Sequence, residues 1–175
     1  MMLDYFPGTA LYDWGSGLTR AYVVPEAVLV TDLGRQTDEM LGPDLDARRT
    51  VMTSIGLKTA AGIAGSPAEP GARITAESAN RVTIDAGAGA GGGYLVLLDS
   101  FSPDWVATVD GLPTQIARAN VLFRAIRLAP GRHVVDFRYR PWAFQAGLAA
   151  SLIGLVAVAG LALTGVRTRR SPRSV

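Results

Sequence analysis

Between Arg73 and Tyr139, apolar and polar residues alternate in short runs. In the last run, Val135, Phe137 and Tyr139 share one face of a predicted strand, and two of the three residues on the opposite face are charged. Residues typical of turns, such as Asp110-Gly111 and Pro130-Gly131, separate the runs. The predicted strands are Ala72–Ser78, Arg81–Ala86, Gly93–Leu98, Trp105–Val109, Thr114–Ala117, Leu122–Leu128 and His133–Tyr139. This pattern predicts a mainly β protein, an antiparallel β-sandwich of the jelly-roll or immunoglobulin-like kind.

The first 71 residues have a more mixed pattern. It predicts short strands at Arg20–Val24, Ala27–Thr31 and Thr50–Ile55, with a short helix around Gln36–Leu41. Residues 59–71 are rich in Gly, Ala and Pro, which favours a loop. We interpret residues 1–71 as part of the sandwich or a cap on it, and residues 72–142 as its core.

A long apolar run follows the predicted sandwich. Residues 143–166 contain no charged side chain, and a helix of this length is long enough for a hydrocarbon core of about 30 Å. The run predicts one C-terminal transmembrane helix, followed by a tail at residues 167–175. Residues suited to the membrane interface flank it, namely Arg138, Arg140, Trp142, Arg167, Arg169 and Arg170. Arg124 and Arg127 are further candidates for contact with lipid phosphates.

Charge is distributed unevenly along the chain. The first 142 residues hold 15 acidic and 13 basic side chains, whereas the last nine hold four arginines and no acid. The tail therefore accounts for the basic isoelectric point, and nothing in the balance indicates nucleic-acid binding. The positive-inside rule places the tail in the cytoplasm, which predicts a single-pass protein of the cytoplasmic membrane with its domain outside. The first 17 residues do not have the pattern of a signal peptide, so a tail-anchored protein with a cytoplasmic domain is the alternative.

The composition excludes several kinds of chemistry. The chain has no cysteine and one histidine, His133, which excludes disulfides, Cys-ligated zinc and multi-histidine metal sites. We expect no metal and no cofactor. The glycine run at residues 87–93 leads into a strand pattern and no Lys-Ser/Thr follows it, so it favours a strand connection over a phosphate-binding loop. His133 has no identifiable catalytic partner, and no catalytic residue is predicted.

The order of motifs resembles the C-terminal end of bacterial YfhO-type membrane proteins. The resemblance rests on Gly93–Gly111, on Ala117–Pro141 and on the apolar helix after them. The matching features are Asp99, Pro103–Trp105, Asp110-Gly111, Asn120, Phe123-Arg124, Pro130-Gly131 and Tyr139–Pro141. Residues 18–30 and 44–52 also resemble the start of that exterior region. Asp104 stands where the family's Pro-Gly-Trp turn has glycine.

The resemblance implies a role in sugar transfer from a lipid-linked donor at the outer face of the membrane. Family members carry catalytic acids in early exterior loops of a large multi-helix domain, and this sequence has neither. The resemblance therefore implies that this chain is the accessory end of such a system rather than a complete enzyme. The implied partners are the lipid bilayer, a polytopic membrane protein subunit and a cell-envelope glycan or lipid-linked sugar.

Aromatic and acidic residues in the predicted sandwich are candidates for glycan contact. Trp105 and Tyr94 offer flat apolar faces, and Asp99 and Asp104 offer acceptors for sugar hydroxyl groups. The two aspartates also have the side-chain type of a glycoside hydrolase, but sequence does not place them across a cleft. A free-standing tail-anchored interaction or glycan-binding protein is the alternative function.

Overall fold

The computed structural model describes residues 17–42, 45–59 and 65–168. These residues form short strands and two helices, in an order that begins with three strands around the first helix and ends with the second helix. The elements are β1 (Ala21–Val24), β2 (Glu26–Leu29), α1 (Leu33–Leu41), β3 (Thr50–Thr53), β4 (Gly71–Ser78), β5 (Arg81–Ala88), β6 (Gly93–Leu97), β7 (Trp105–Val109), β8 (Leu112–Thr114), β9 (Ala117–Ala119), β10 (Phe123–Leu128), β11 (Gly131–Tyr139) and α2 (Trp142–Thr168).

The strands form two sheets. One has six strands in the order β1-β6-β10-β9-β3-β2, and the other has five in the order β4-β5-β11-β7-β8. Neighbouring strands are antiparallel apart from the β2–β3 pair, which is parallel. The prediction of a mainly β, antiparallel sandwich with a short helix is confirmed.

The main core lies between the sheets. Leu95, Leu97 and Ile126 of the six-stranded sheet are fully buried with Ile84 and Phe137 of the five-stranded sheet. Alternate residues of β6 and β10 point to the opposite face of the six-stranded sheet, where a second apolar cluster forms. Its fully buried members are Val24, Val51, Val96, Ala117, Ala119 and Ala125. The period-two pattern therefore sets which residues of each strand enter which core.

The first strands extend the six-stranded sheet on both sides. β1 pairs with β6 in a register that sets Ala21 opposite Leu97, whereas β2 and β3 form the far edge. α1 follows β2, and the Asp32 side chain caps its first turn by accepting a hydrogen bond from the Arg35 amide at 2.8 Å. Gln36 is the buried residue of this helix, and its Nε2 donates to the Val30 carbonyl. The helix is thus fixed to the sheet through a buried amide.

One predicted strand is wrong. Residues 114–117 do not form a single strand, because Thr114 ends β8 in the five-stranded sheet and Ala117 begins β9 in the six-stranded sheet. The chain crosses between the sheets at Gln115 and Ile116. The glycine run does connect two strands as predicted. Gly92 closes that turn with φ +77°, and its amide donates to the Gly89 carbonyl.

The chain divides into two compact units, with the boundary in the sequence between Tyr139 and Arg140. The second unit contains α2, which covers the predicted membrane segment. Its stretch Trp142–Gly160 is the one candidate membrane span found among the described residues. The described side chains of this stretch are exposed, whereas a core helix of a soluble protein would bury them.

Candidate functional site

A buried arginine lies at one end of the sandwich, where β6 ends and β10 begins. Arg124 shares the inward face of β10 with Ile126 and Leu128, and only 1% of it is exposed. Its Nη2 donates to Oδ2 of Asp99 at 2.8 Å. Asp99 follows β6, the strand that pairs with β10, and this places the carboxylate within reach. The pairing of these two strands thus sets an ion pair at the edge of the core.

Two aromatic rings of the opposite sheet enclose the Arg124 guanidinium. Its carbon lies 3.9 Å from the centroid of Trp105 and 5.4 Å from that of Phe137. Nε and Nη1 of Arg124 are buried and have no hydrogen-bond partner among the described residues. Burial lowers the pKa of Arg124 while Asp99 raises it, and a guanidinium keeps its proton at any physiological pH. The cation is therefore held by one carboxylate and two ring faces.

Asp99 also binds a second arginine. Nε and Nη2 of Arg20 donate to its two oxygens at 2.8 and 3.0 Å, a bidentate arrangement. Nη1 of Arg20 donates to Glu77 at 2.8 Å. The hydrogen bond from Arg20 lowers the pKa of Asp99, against burial, which raises it; the positive charge of Arg124 contributes to the lowering. Glu77, Arg20, Asp99 and Arg124 thus form a chain of alternating charge from the surface to the core.

Trp105 contacts the end of the last strand. Its ring centroid is 5.3 Å from that of Tyr139, with the planes tilted by 52°. The Tyr139 hydroxyl donates to Oδ2 of Asp104 at 3.5 Å, and the Asp104 amide donates to Oγ of Ser102 at 3.3 Å. The turn before β7 is therefore tied to Tyr139, the last residue of β11.

The structure brings three of the four predicted glycan-contacting residues to this end. Asp99, Asp104 and Trp105 surround Arg124 and Tyr139, whereas Tyr94 lies near the start of β6 with Arg127 over its ring. Both oxygens of Asp99 bind arginine, and one face of Trp105 covers a guanidinium. Glycan contact through Trp105 and Asp104 stays a prediction.

Sequence reasoning did not assign Arg20 and Arg124 to this cluster. From the sequence, Arg124 is a candidate for lipid phosphates or a residue of a solvated strand face, but its position on the face of Ile126 and Leu128 takes it into the core. The alternation of β10 carried that signal, since an arginine in register with two inward apolar residues points inward as well. Arg20 gave no comparable signal, because its partners are far away in sequence.

The predicted interface residues fall in both units. Arg138 binds Asp136, which also binds Arg81, so part of its charge is neutralised within the sandwich. Arg140 is exposed, and Trp142 is 73% exposed as the first residue of α2. Arg167 lies within α2, and Arg169 and Arg170 lie outside the described residues. Contact of these residues with a membrane interface stays a prediction.

His133 is buried and fully engaged. Its Nδ1 lies 2.8 Å from Oδ2 of Asp110, and its Nε2 lies 3.0 Å from the Ala129 carbonyl oxygen. A carbonyl only accepts, so Nε2 carries a proton and donates it. Asp110 also accepts from the Val134 amide at 2.9 Å. His133 therefore fixes the turn after β7 to the turn before β11, and neither nitrogen faces open space.

Two further features bear on ligands. Among residues 17–42, 45–59 and 65–168, no group of three or more His, Cys, Asp or Glu side chains is arranged to hold a metal ion. A groove of about 380 Å³ lies on the outer face of the five-stranded sheet, with Gly87 in its floor. Its charged walls are Glu69, Arg73, Asp85 and Arg132. This groove offers donors and acceptors to a polar ligand.

Comparison with known proteins gives one family. Residues 67–151 match the family model described as "Bacterial membrane protein YfhO". The match begins just before β4, covers the strands through β11 and continues into α2. No curated protein and no solved structure gives a significant match.

Proposed function

Since this chain belongs through residues 67–151 to the bacterial membrane protein YfhO family, we propose that it is the accessory end of a YfhO-like membrane protein system in cell-envelope glycosylation. In this proposal α2 anchors an extracytoplasmic β-sandwich to the cytoplasmic membrane. The sandwich supports a polytopic subunit and has no catalytic centre of its own.

The proposal rests on the family match, which covers both the β-sandwich and the apolar helix. It includes eight strands of the sandwich and the first ten residues of the apolar helix α2. Insertion of a helix with exposed apolar side chains into lipid lowers the free energy, because the apolar surface is removed from water. The sandwich is then held at the membrane surface.

The bonding of the carboxylates supports a noncatalytic sandwich. Asp99 binds two arginines, Asp136 binds two arginines, and Asp110 binds His133 and a backbone amide. Hydrogen bonds to the charged form hold the pKa of each of these three groups below its usual value, although burial alone raises it. A general acid needs a carboxyl that keeps its proton near neutral pH, so these three aspartates are poorly suited to that role, and their oxygens already have partners in the fold.

Membrane orientation is tested with single cysteines, since the chain has none of its own. Gln115 is exposed between β8 and β9, and Gln115→Cys reports on the sandwich. Ser174→Cys in the basic tail is the matched position on the other side. In intact cells, an impermeant thiol reagent should label position 115 and leave position 174 unlabelled until the cells are opened. The reverse pattern overturns the extracytoplasmic assignment and favours a tail-anchored protein.

The accessory role is tested by deleting the gene for this chain in its host cell and analysing cell-envelope polymers for attached sugars. We expect loss of one sugar modification, restored by the full chain. A chain lacking α2 should not restore it, because the sandwich is then no longer held at the membrane. Unchanged sugar content overturns the role in glycosylation.

A glycan-binding or interaction protein that works alone is the second candidate. The groove on the outer face of the five-stranded sheet favours it, because the side chains of Arg73, Asp85 and Arg132 make no hydrogen bond or ion pair with other described residues. Such groups suit the hydroxyl groups of a sugar. Retention of the purified full chain on cell-wall polysaccharide, lost in Arg73→Ala and Arg132→Ala together, supports this candidate.

A further inference from the structure

The loop between β9 and β10 has a strained backbone. Asn120 and Val121 have φ values of 45° and 69°, in the left-handed region that non-glycine residues rarely adopt. The Leu122 amide donates to the Asn120 carbonyl at 2.8 Å, which closes a three-residue γ-turn around Val121. A γ-turn with positive φ at its centre is rare, and a β-branched residue there is unfavourable.

Contacts from two other elements hold this turn. The Asn120 amide donates to the Met52 carbonyl, and the Asn120 side chain accepts from the Met52 amide at 2.9 Å. Oε1 of Gln36 in α1 accepts from the Val121 amide at 3.0 Å. β3 and α1 thus hold Val121 in a conformation that a β-branched residue does not favour, whereas Asn120 tolerates it.

The turn presents an apolar side chain to solvent. Leu122 is 62% exposed, and its carbonyl accepts from the Phe101 amide at 2.7 Å, so the loop after β6 lies beside it. Phe101 is half-buried under the Arg118 guanidinium, which is 5.2 Å from its ring centroid. We call Leu122 and Phe101 the apolar tip. A single exposed leucine needs no explanation, but one held outward on a strained backbone does.

The apolar tip lies at the end of the sandwich from which the chain leaves. Arg124, two residues after Leu122, contacts Trp105, and Trp105 is the register partner of Tyr139 in β11. Arg140 and Pro141 alone separate Tyr139 from α2. Three residue steps of extended chain reach about 11 Å, so the start of α2 stays within that distance of Tyr139 at every angle of the helix.

We propose that the apolar tip contacts the lipid bilayer surface. The proposal rests on the proposed anchoring by α2, because a helix that enters lipid at Trp142 brings this end of the sandwich to the headgroup region. An exposed leucine and a neighbouring aromatic ring then lose water-accessible surface to the interface. Arg140 and Trp142, both exposed, are suited to the same depth.

The experiment uses the full chain in nanodiscs with one cysteine that carries an environment-sensitive fluorophore. Leu122→Cys reports on the apolar tip. Leu112→Cys is the matched control, because Leu112 is an exposed leucine (47%) that follows the far end of β7, away from Trp105. Gly154→Cys in α2 reports on anchoring. Spin-labelled lipids quench a fluorophore that lies at the depth of the spin label.

We expect a blue-shifted emission at position 122 and a loss of that emission with headgroup-labelled lipid, with neither effect at position 112. At position 154, lipid labelled deep in the acyl chain should quench. Quenching at 154 with equal emission at 122 and 112 overturns the surface contact and leaves the anchoring intact. Absence of quenching at 154 overturns the anchoring and the contact together.

A second variant keeps the test independent of folding at the strained turn. Pro103→Cys lies in the exposed part of the loop after β6, at the same end of the sandwich. It should show the same shift and quenching as position 122. A response at 103 equal to that at 112 counts against the contact.

Discussion

The Arg124 guanidinium packs against the Trp105 ring at 3.9 Å and connects the two sheets of the sandwich through a buried charge. Arg124 comes from β10 of the six-stranded sheet, and Trp105 begins β7 of the five-stranded sheet. A buried cation costs free energy when two of its nitrogen atoms have no hydrogen-bond partner in the described part of the chain, and the Asp99 carboxylate and the ring faces offset this cost. Volume and charge at this position therefore contribute separately to stability.

Substitutions at Arg124 should separate the two contributions. Arg124→Met keeps most of the volume, and Asp99 retains Arg20, so we expect unfolding free energy within about 1 kcal/mol of the parent chain. Arg124→Ala should cost about 2–4 kcal/mol because it leaves a cavity between the sheets. Urea unfolding of the detergent-solubilised chain, followed by tryptophan fluorescence, measures both. Equal losses in the two variants would show that the ion pair matters more than the packing.

Val121→Gly should stabilise the chain. Glycine adopts positive φ without strain, which relieves about 1–3 kcal/mol, and its greater freedom in the unfolded chain takes back about 0.5–1 kcal/mol. The matched control is Val134→Gly, at an exposed valine within β11, which should lower stability by about 1 kcal/mol. Thermal unfolding of the three chains gives the order. A loss at position 121 as large as that at 134 refutes the strain.

Two neighbouring glycines should differ in their tolerance of alanine. Gly92 has φ +77°, and a Cβ there would lie 2.5 Å from the Leu128 carbonyl oxygen, so Gly92→Ala should cost at least about 2 kcal/mol. Gly91 has no atom within 4 Å of an added Cβ, and Gly91→Ala should change stability by less than about 0.5 kcal/mol. Urea midpoints measure the difference. Similar midpoints for both variants contradict the packing of this turn.

Acid should destabilise the sandwich through its bonded carboxylates. Burial raises the pKa of Asp136, but hydrogen bonds from Arg81 and Arg138 outweigh it and hold the pKa below its usual value. A carboxyl whose pKa is lower folded than unfolded stabilises the fold above the unfolded value of about 3.9, and this stability is lost as pH falls through the folded value.

Asp136→Asn should therefore reduce the decline in urea midpoint as the pH is lowered from about 5 toward 2. Asp85→Asn is the control, because Asp85 is exposed and makes no ion pair among the described residues. Asp85→Asn removes one carboxylate and keeps the ion pairs of Asp136 with Arg81 and Arg138. A pH dependence that is unchanged in Asp136→Asn would refute the role of these hydrogen bonds.

The strands were predictable because the same two-residue alternation appears in the hydropathy of the sequence and in the burial of the side chains. Phe137 lies between Asp136 and Arg138 in β11, and the structure buries Phe137 and Val135 on the face that they share. The apolar helix α2 was predictable because residues 143–166 form a long run without a charged side chain. These are local properties, which a reader of the sequence sees directly.

The partners of each strand were not predictable in the same way. β1 joins β6 across more than half of the sandwich sequence, and no local pattern specifies that neighbour. Thr114 and Ala117 read as one strand because the crossing between sheets changes neither hydropathy nor turn residues clearly. The cluster around Arg124 depends on these long-range pairings, so the sequence indicated Trp105 and Asp99 without the arginines that contact them.

β11 has a mechanical consequence for the protein. It is the middle strand of the five-stranded sheet, bonded to β5 on one side and β7 on the other, and it ends two residues before α2. A pull that reaches the sandwich through α2 enters at Tyr139. A pull along the strand is resisted by both ladders at once, whereas an edge strand would be held by one ladder. The proposed anchor is thus attached to a strand that is held on both sides.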